Sequence, residues 1–418
     1  MLLVLSSLTT IPAGLSAGIS DWLPNWFSGA ALLLLLYQLP AIALLLSRLS
    51  QGPSRRPPLL PMPPSQNTVG KVSVVVPTLN EALRIDPCLQ GLSQQDKTVR
   101  EVLVVDSRST DGTPALVKAA AEADSRFRLV TDDPLPPGWV GRPWALHTGF
   151  LQSSADSEWI LGIDADTIPQ PQLVSTLIQQ AEAAQYDLVS LAPRFILRQW
   201  GEFIVQPALL MTLIYRFGPA GNRGNAAERV MANGQCFLCR RSVLTALDGY
   251  TSARASFCDD VTLARYAAQQ GARVGFWDGA NLIKVRMYEG ALETWREWGR
   301  SLDLKNAATP QQTWGDIWLL SAVQALPWLM LPTLLWAWKN QQTWPLALAV
   351  GVNLGLVLIR IGMQAAIVSA YDFTQAGRQG WAFWLSPLAD PLATLRIILS
   401  ALRTPTRWRG RQYTEVKD

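Results

Sequence analysis

The sequence predicts an α/β domain built on a mostly parallel sheet, carried between membrane-spanning helices at the two ends of the chain. Three observations lead there. Apolar residues make up 49% of the 418 and charged residues only 16%, too oily a balance for an ordinary soluble enzyme. Long uncharged runs lie near both ends. Between them, short strand-like runs alternate with helix-like stretches, the pattern of a parallel sheet with crossover helices.

The first run, residues 26–46 (WFSGAALLLLLYQLPAIALLL), is about long enough to cross a bilayer. A cleaved signal peptide fits poorly, because no basic stretch precedes it. Residues 1–47 contain no Lys or Arg, whereas Arg48, Arg55 and Arg56 follow the run at once. By the positive-inside rule the N-terminus lies outside and the rest is cytoplasmic. Residues 48–70, with PSRRPPLLPMPP, read as a Pro-rich basic linker.

Residues 71–300 form the α/β domain. VSVVVP, EVLVVD, RFRLV and WILGID are the strand-like runs, with candidate helices at residues 81–95 and 113–123. In such sheets ligands bind beyond the carboxyl ends of the strands.

Residues 301–418 return to membrane. The apolar segments 317–338 and 344–371 are separated by a short KNQQ turn and read as a hairpin. A third segment, 381–402, is broken by Pro387, Asp390 and Pro391. An interfacial or re-entrant course keeps the basic tail (Arg403, Arg407, Arg409, Arg411, Lys417) cytoplasmic, in agreement with the charge rule. The net charge of +4 follows hydrophobic segments and not a groove, which argues against nucleic acid as a partner. Four cysteines make no paired framework. Cys236 and Cys239 are spaced C-x-x-C, but a zinc site needs a second ligand pair and His147 is the only histidine. Buried free thiols in a reducing compartment fit better.

The strand ends carry the candidate chemistry. After the first come Pro77, Asn80 and Glu81, at an expected helix start that suits a base, ribose or phosphate, or else simple capping by Asn80. The second ends in Asp106, able to accept from a ribose hydroxyl or to cap its own loop, whereas Asp111 reads as a turn residue. In GWVGRPWAL, Arg142 stands near a helix start and could place a cation on a diphosphate; a surface Arg on a loop is the plainer alternative. The fourth strand runs into Asp164-Ala165-Asp166. In an extended stretch these carboxylates share a side and could hold a divalent cation, Mg²⁺ or Mn²⁺, together with diphosphate oxygens. Asp259 and Asp260 precede a helical run; Asp259 could merely cap it, and Asp260 could serve as a general base.

With these residues aligned, the chain resembles the family 2 glycosyltransferases of GT-A fold. VVVPTLNE, VVDSRSTDGT, GWVGRPWAL, IDADT, GQCFLCRRSV with DGY, and FCDDVTLARYAAQQG carry the resemblance over residues 71–275. It implies that Pro77, Asn80, Glu81, Asp106 and Arg142 line the nucleotide sugar and that Asp164 and Asp166 serve diphosphate and metal. It also implies that Asp260 is the catalytic base; Gln235, Asp259, Trp295, Trp298 and Arg300 are expected at the acceptor or the diphosphate. Two departures matter. Asp259 stands where the family usually has Glu, and Arg142 where Lys is common, and Arg meets phosphate as a planar fork. No Gln-x-x-Arg-Trp follows Asp260; ETWREWGR occupies that region, which favours a single transfer over processive synthesis. The membrane layout, the Trp-Arg-Glu-Trp segment and the WRGRQY tail look most like the carotenoid- and hopanoid-associated branch, including cyanobacterial 2′-O-glycosyltransferases of myxol-type xanthophylls. Trp295 and Trp298, three apart, could then face the interface with Arg300, or could pack against the domain.

The expected activity is inverting transfer of one sugar from a nucleotide-sugar donor to a membrane lipid hydroxyl, on a carotenoid of the myxol type. A polyprenyl, hopanoid or other glycolipid product is the alternative. A non-catalytic membrane scaffold is the reading from another class, and the retained Asp106, Asp164, Asp166 and Asp260 speak against it.

Overall fold

A computed structural model of the chain describes residues 13–222, 226–298, 304–403, 407–408 and 411–412. The domain's centre is a seven-stranded sheet. Strands β1 (Val72–Thr78), β2 (Val99–Asp106), β3 (Phe127–Thr131) and β4 (Trp159–Ile163) run parallel in the order β3-β2-β1-β4. Every β-carbon-bearing position of β1 from Val72 to Val76 is buried, as expected for a central strand covered on both faces. The pairing continues beyond β4, taking up β5 (Thr167–Pro169), β6 (Leu188–Ala192), β7 (Arg194–Ile196) and β8 (Cys236–Arg240) in two sheets. In the large sheet β8 is antiparallel to both β4 and β6, and β9 (Val274–Asp278) closes the edge beside β6. The sheet is therefore mixed, with its parallel half as the sequence predicts. β10 (Ile283–Val285) and β11 (Tyr371–Asp372) join β5 and β7 in a second, four-stranded sheet.

The helices are α1 (Ala13–Leu49), α2 (Asp86–Ser93), α3 (Thr113–Ala123), α4 (Gly141–Gln152), α5 (Leu173–Ala183) and α6 (Trp200–Phe217). They continue with α7 (Arg241–Ala246), α8 (Asp259–Gln269), α9 (Gly290–Glu293), α10 (Pro310–Leu320), α11 (Leu326–Gln341), α12 (Trp344–Ala366) and α13 (Asp390–Leu402). One face of the large sheet buries Val74, Val76, Val102, Val104 and Leu161 with α2, α3 and α5. The other buries Val75, Leu103, Val105 and Ile160 with α4 and α8. Successive residues of a strand point to opposite faces, and this separates Cys236 from Cys239: each joins a different core. Neither they nor Cys88 and Cys258 form a disulfide. α4 lies so close on β1 that a side chain at Gly149 would strike Val75. A glycine is required there.

The start of the first helix of the domain needs correction. The helix placed at residues 81–95 begins at Asp86, with Pro87 in its first turn. Asn80 adopts φ 55°, and the N–H groups of Asn80, Glu81 and Ala82 donate to Ser109, Thr113 and Asp111 instead of standing open at a helix start. The Pro-rich linker is a strap fastened across the sheet edge. Arg56 stacks on Trp277 at 4.8 Å, Leu59 N donates to Asp278 O, and Met62 N donates to Thr176 Oγ1 at 2.8 Å.

Among the described residues, four helical segments are long and apolar enough to cross a membrane: Trp26–Ser54, Pro310–Gln341, Trp344–Ala366 and Gly377–Leu402. The second is α10 and α11 joined by a π-helical turn, Ser321–Ala325. Such turns leave carbonyls for other partners, and Ala322 O accepts from Gln38 Nε2 at 2.9 Å, while Gln38 and Asn353 exchange amide bonds at 3.0 and 3.1 Å. α12 stops at Ala366, short of the expected 371, because Tyr371–Asp372 pairs with β7. The last segment is a 3₁₀ stretch, Gly377–Ala389, followed by α13. Its start is tied to the domain by the Trp200 N–H donating to Gln379, and its end, Ile397 and Ala401, shares a cavity wall with Arg216 at the end of α6. Both ends thus meet domain residues.

Candidate active site

The carboxyl ends of β1 and β4 and the start of α8 surround one cleft. Its larger lobe is a cavity of about 490 Å³ that Asn80, Glu81, Arg142, Asp164, Asp166, Gln235, Asp259 and Asp260 help to line. A smaller lobe, about 70 Å³, reaches Pro77, Ser107 and Gly141. Sequence reasoning on separate strand ends therefore named groups that do converge. The physical reason is the parallel register, which brings the ends of β1 and β4 to one edge.

Asp164-Ala165-Asp166 is a tight turn and not an extended stretch: Thr167 N donates back to Asp164 O at 3.2 Å, and Ala165 is buried. The turn still presents both carboxylates to the cleft. Arg142, in the first turn of α4, spans the floor. Its Nε and Nη2 donate to Asp164 Oδ1 at 3.0 and 2.9 Å, its Nη2 to Gly234 O at 2.8 Å, and its Nη1 to Asp259 Oδ2. A β-carbon at Gly234 would strike that guanidinium and push it from its place between the carboxylates. Burial opposes the charge on Arg142, but Asp164, Asp259 and Asp260 together hold it well above its ordinary value. Asp259 is therefore more than a cap: it is a buried counter-charge, and burial pushes its carboxyl up despite Arg142.

Asp260 accepts from Gly234 N at 2.6 Å and from Val261 N at 2.8 Å. Burial, and then the neighbouring Asp259 carboxylate, push it up to about 7. A carboxyl poised near neutrality and facing a cleft has the properties of a general base. Gln235 is buried and exchanges bonds with Asn233, and its carbonyl accepts from Asp164 N.

Asp106 and Asn80 are tied to loops, and the two tryptophans are placed elsewhere. Asp106 accepts from Thr78 Oγ1 at 3.3 Å and Ser109 N at 3.0 Å; it secures its own loop, and the next residue, Ser107, lines the cleft. Asn80 Oδ1 accepts from Thr110 N, so it joins two loops instead of capping α2. Trp298 is buried in the core between α6 and the last segments, 6.1 Å from Phe195, and is no interface residue. Trp295 lies under Arg396. The two are separated because Thr294–Trp298 is a π-helical turn, where residues three apart no longer share a face as on an α-helix. Neither tryptophan lines the cleft. Arg300 and half of the WRGRQY tail (Arg409, Gly410 and Tyr413) lie outside the described residues.

Residues 73–247 match the family model described as glycosyl transferase family 2. These residues form a family 2 glycosyltransferase domain. The chain is 24% identical over 245 residues to a 4,4'-diaponeurosporenoate glycosyltransferase of Staphylococcus haemolyticus, covering 58% of this chain and 64% of that protein. It is 30% identical over 214 residues to an N-acetylglucosaminyltransferase of Mesorhizobium japonicum, covering 48% and 47%. The chain thus spans less than two thirds of the length of either relative. A solved mannosyltransferase of Pyrobaculum calidifontis, in complex with GDP-Man and Mn2+, superposes with TM-score 0.52 at 18% identity over 90% of this chain and 99% of that one. The shared fold is of GT-A type.

Within the family 2 domain the donor set can be tested for a metal. Among the described residues, no three His, Cys, Asp or Glu side chains gather to hold an ion by themselves. Asp164 and Asp166 offer hard oxygens on one wall of an open cleft, which suits Mg²⁺ or Mn²⁺ with its remaining positions filled by water and diphosphate. The pair fits a site shared with substrate. Sequence reading missed the opposite wall: Arg84 Nη2 donates to Glu293 at 3.1 Å, and Met287, Tyr288 and Glu297 complete it. These lie far from Asp164 in sequence, and only Glu293 and Glu297 fall in the ETWREWGR stretch noted in the sequence.

Proposed function

We propose that this chain is an integral-membrane, inverting glycosyltransferase that moves one sugar from a nucleotide-sugar donor to a hydroxyl of a membrane lipid. The acceptor we propose is a carotenoid, with the 2′-hydroxyl of a myxol-type xanthophyll as the target. One observation carries the reaction type: a carboxyl raised to about 7, Asp260, shares a cleft with the Asp164–Asp166 turn and Arg142. Asp260 takes the proton from the acceptor hydroxyl as its oxygen bonds to the anomeric carbon and the nucleoside diphosphate departs, so one displacement inverts the centre. Arg142, held by Asp164, Asp259 and Gly234 O, adds positive charge beside the departing phosphates. A divalent ion on Asp164 and Asp166 would add charge stabilisation for that leaving group. Pro77, Glu81 and Ser107 line the lobe available to the nucleotide.

The lipid acceptor is supported by the four long apolar segments, and the carotenoid by the similarity to a diaponeurosporenoate glycosyltransferase. We place the domain on the cytoplasmic side, with Gly377–Leu402 as an interfacial or re-entrant segment, since both its ends meet domain residues. The test is pigment and lipid analysis by mass after gene loss. Accumulation of a carotenoid lacking its sugar is the expected result; loss of a hopanoid or polyprenyl glycolipid, with carotenoids unchanged, would replace the acceptor.

A further inference from the structure

A second charged cluster lies away from the cleft, where helices from the membrane segments meet the domain. Arg48 stands in the last turn of α1, Arg216 at the end of α6, Arg229 in the following loop and Arg265 in α8. One carboxylate, Asp316 in α10, interacts with all four guanidinium groups. Part of their hydrogen bonding is structural. Arg48 Nη1 donates to Tyr215 O at 2.7 Å, Arg216 Nε to Thr212 O at 3.1 Å, and Arg265 Nε to Val230 O at 3.0 Å. Arg229 donates to Arg216 O.

Backbone carbonyls satisfy donors without cancelling charge, and among the described residues four cations, two of them fully buried, against one anion are costly. Arg216 and Arg265 are 3% and 2% exposed, and an Nη2 of each is buried with no hydrogen-bond partner among the described residues. Buried donors of this kind are rare unless something outside the chain meets them. Beside Arg216 is a cavity of about 20 Å³, walled by Lys305, Thr313, Asp316, Ile397 and Ala401, room for roughly one oxygen atom.

We propose that this cluster binds a phosphate-bearing anion, supplied by the headgroup of an anionic phospholipid. Depth favours the lipid. The Pro310–Gln341 segment has 32 residues, about 48 Å of helix against a hydrocarbon core of about 30 Å. Asp316, about 9 Å from its start, can therefore lie at headgroup level. Ile397 and Ala401 give the wall an apolar side. A headgroup phosphate would place an oxygen toward Arg216 Nη2 and supply the missing counter-charge. Held so, the lipid would fix α1, α6, α8 and α10 to one another.

The test uses the full chain purified in neutral detergent, with phosphatidylglycerol, phosphatidylcholine or inorganic phosphate added. Phosphatidylglycerol is expected to raise Tm by about 3–5 °C, and the other two to leave it unchanged. Thr313→Glu sets a carboxylate in the cavity wall and is expected to keep the fold and abolish the shift. Ala308→Glu, on another wall of the same cavity, repeats the test should the first variant not fold. An equal shift with inorganic phosphate would overturn the lipid as source. No shift with any anion, or a full shift retained in the folded variants, would overturn the site.

Discussion

Arginine meets aspartate in the cleft and again in the pair Arg360–Asp390 among the helices, and the two meetings differ. In the cleft, Arg142 is divided among Asp164, Asp259 and Gly234 O, and its side chain remains 15% exposed. Among the helices, Arg360 of α12 donates from Nε and Nη2 to Asp390 at 2.7 and 3.2 Å, with 1% and 0% exposure, and from Nη1 to Gln364 at 2.8 Å. The second pair is closed and each partner faces the other. The first is open, shared, and beside a lobe large enough for a ligand. Similar groups thus serve different ends: a closed pair fixes helix positions, whereas an open one keeps charge available to a substrate.

The largest expected effect lies in the open site. Asp260→Asn should lower transfer by about 10²–10⁴-fold in membranes given donor and acceptor, with the protein still folded; unaltered turnover would remove Asp260 from the mechanism. In the parent chain, kcat/KM should rise with pH through about 7 as Asp260 ionises. The sign for stability is opposite. The folded chain holds this proton more tightly than the unfolded one, so the ionised carboxyl costs stability increasingly from the ordinary carboxylate range up to about pH 7. Asp260→Asn should therefore be the more stable protein at pH 8 and lose that advantage near pH 4, as read from Tm.

Next in size is the closed pair. Asp390→Asn leaves Arg360 buried beside a neutral partner and should cost about 3–5 kcal/mol, measured by unfolding in detergent. The smallest effect is Asp259→Asn. Arg142 keeps Asp164 and Gly234 O, so the loss should stay near about 1–2 kcal/mol. Equal losses for the two substitutions would erase the distinction between open and closed sites.

Composition and periodicity alone were enough to indicate much of this molecule. The four strands of the parallel half, the apolar segments and the carboxylates at strand ends all follow from local pattern, since burial on both faces demands continuous apolar runs and ligand sites fall where those runs stop. The antiparallel β8 was not legible, although GQCFLCRRSV contains it, because a short apolar run carries no sign of its direction. Nor was the fate of each polar group. Asp106 secures a loop and Asp259 holds Arg142, yet both are acidic residues at the ends of elements. Trp298 went to the core because a π-helical turn rotated it away from Trp295. Which partner a side chain meets depends on residues remote in sequence, and the fold alone brings Arg142, Asp164, Gly234 and Asp259 within reach of one another.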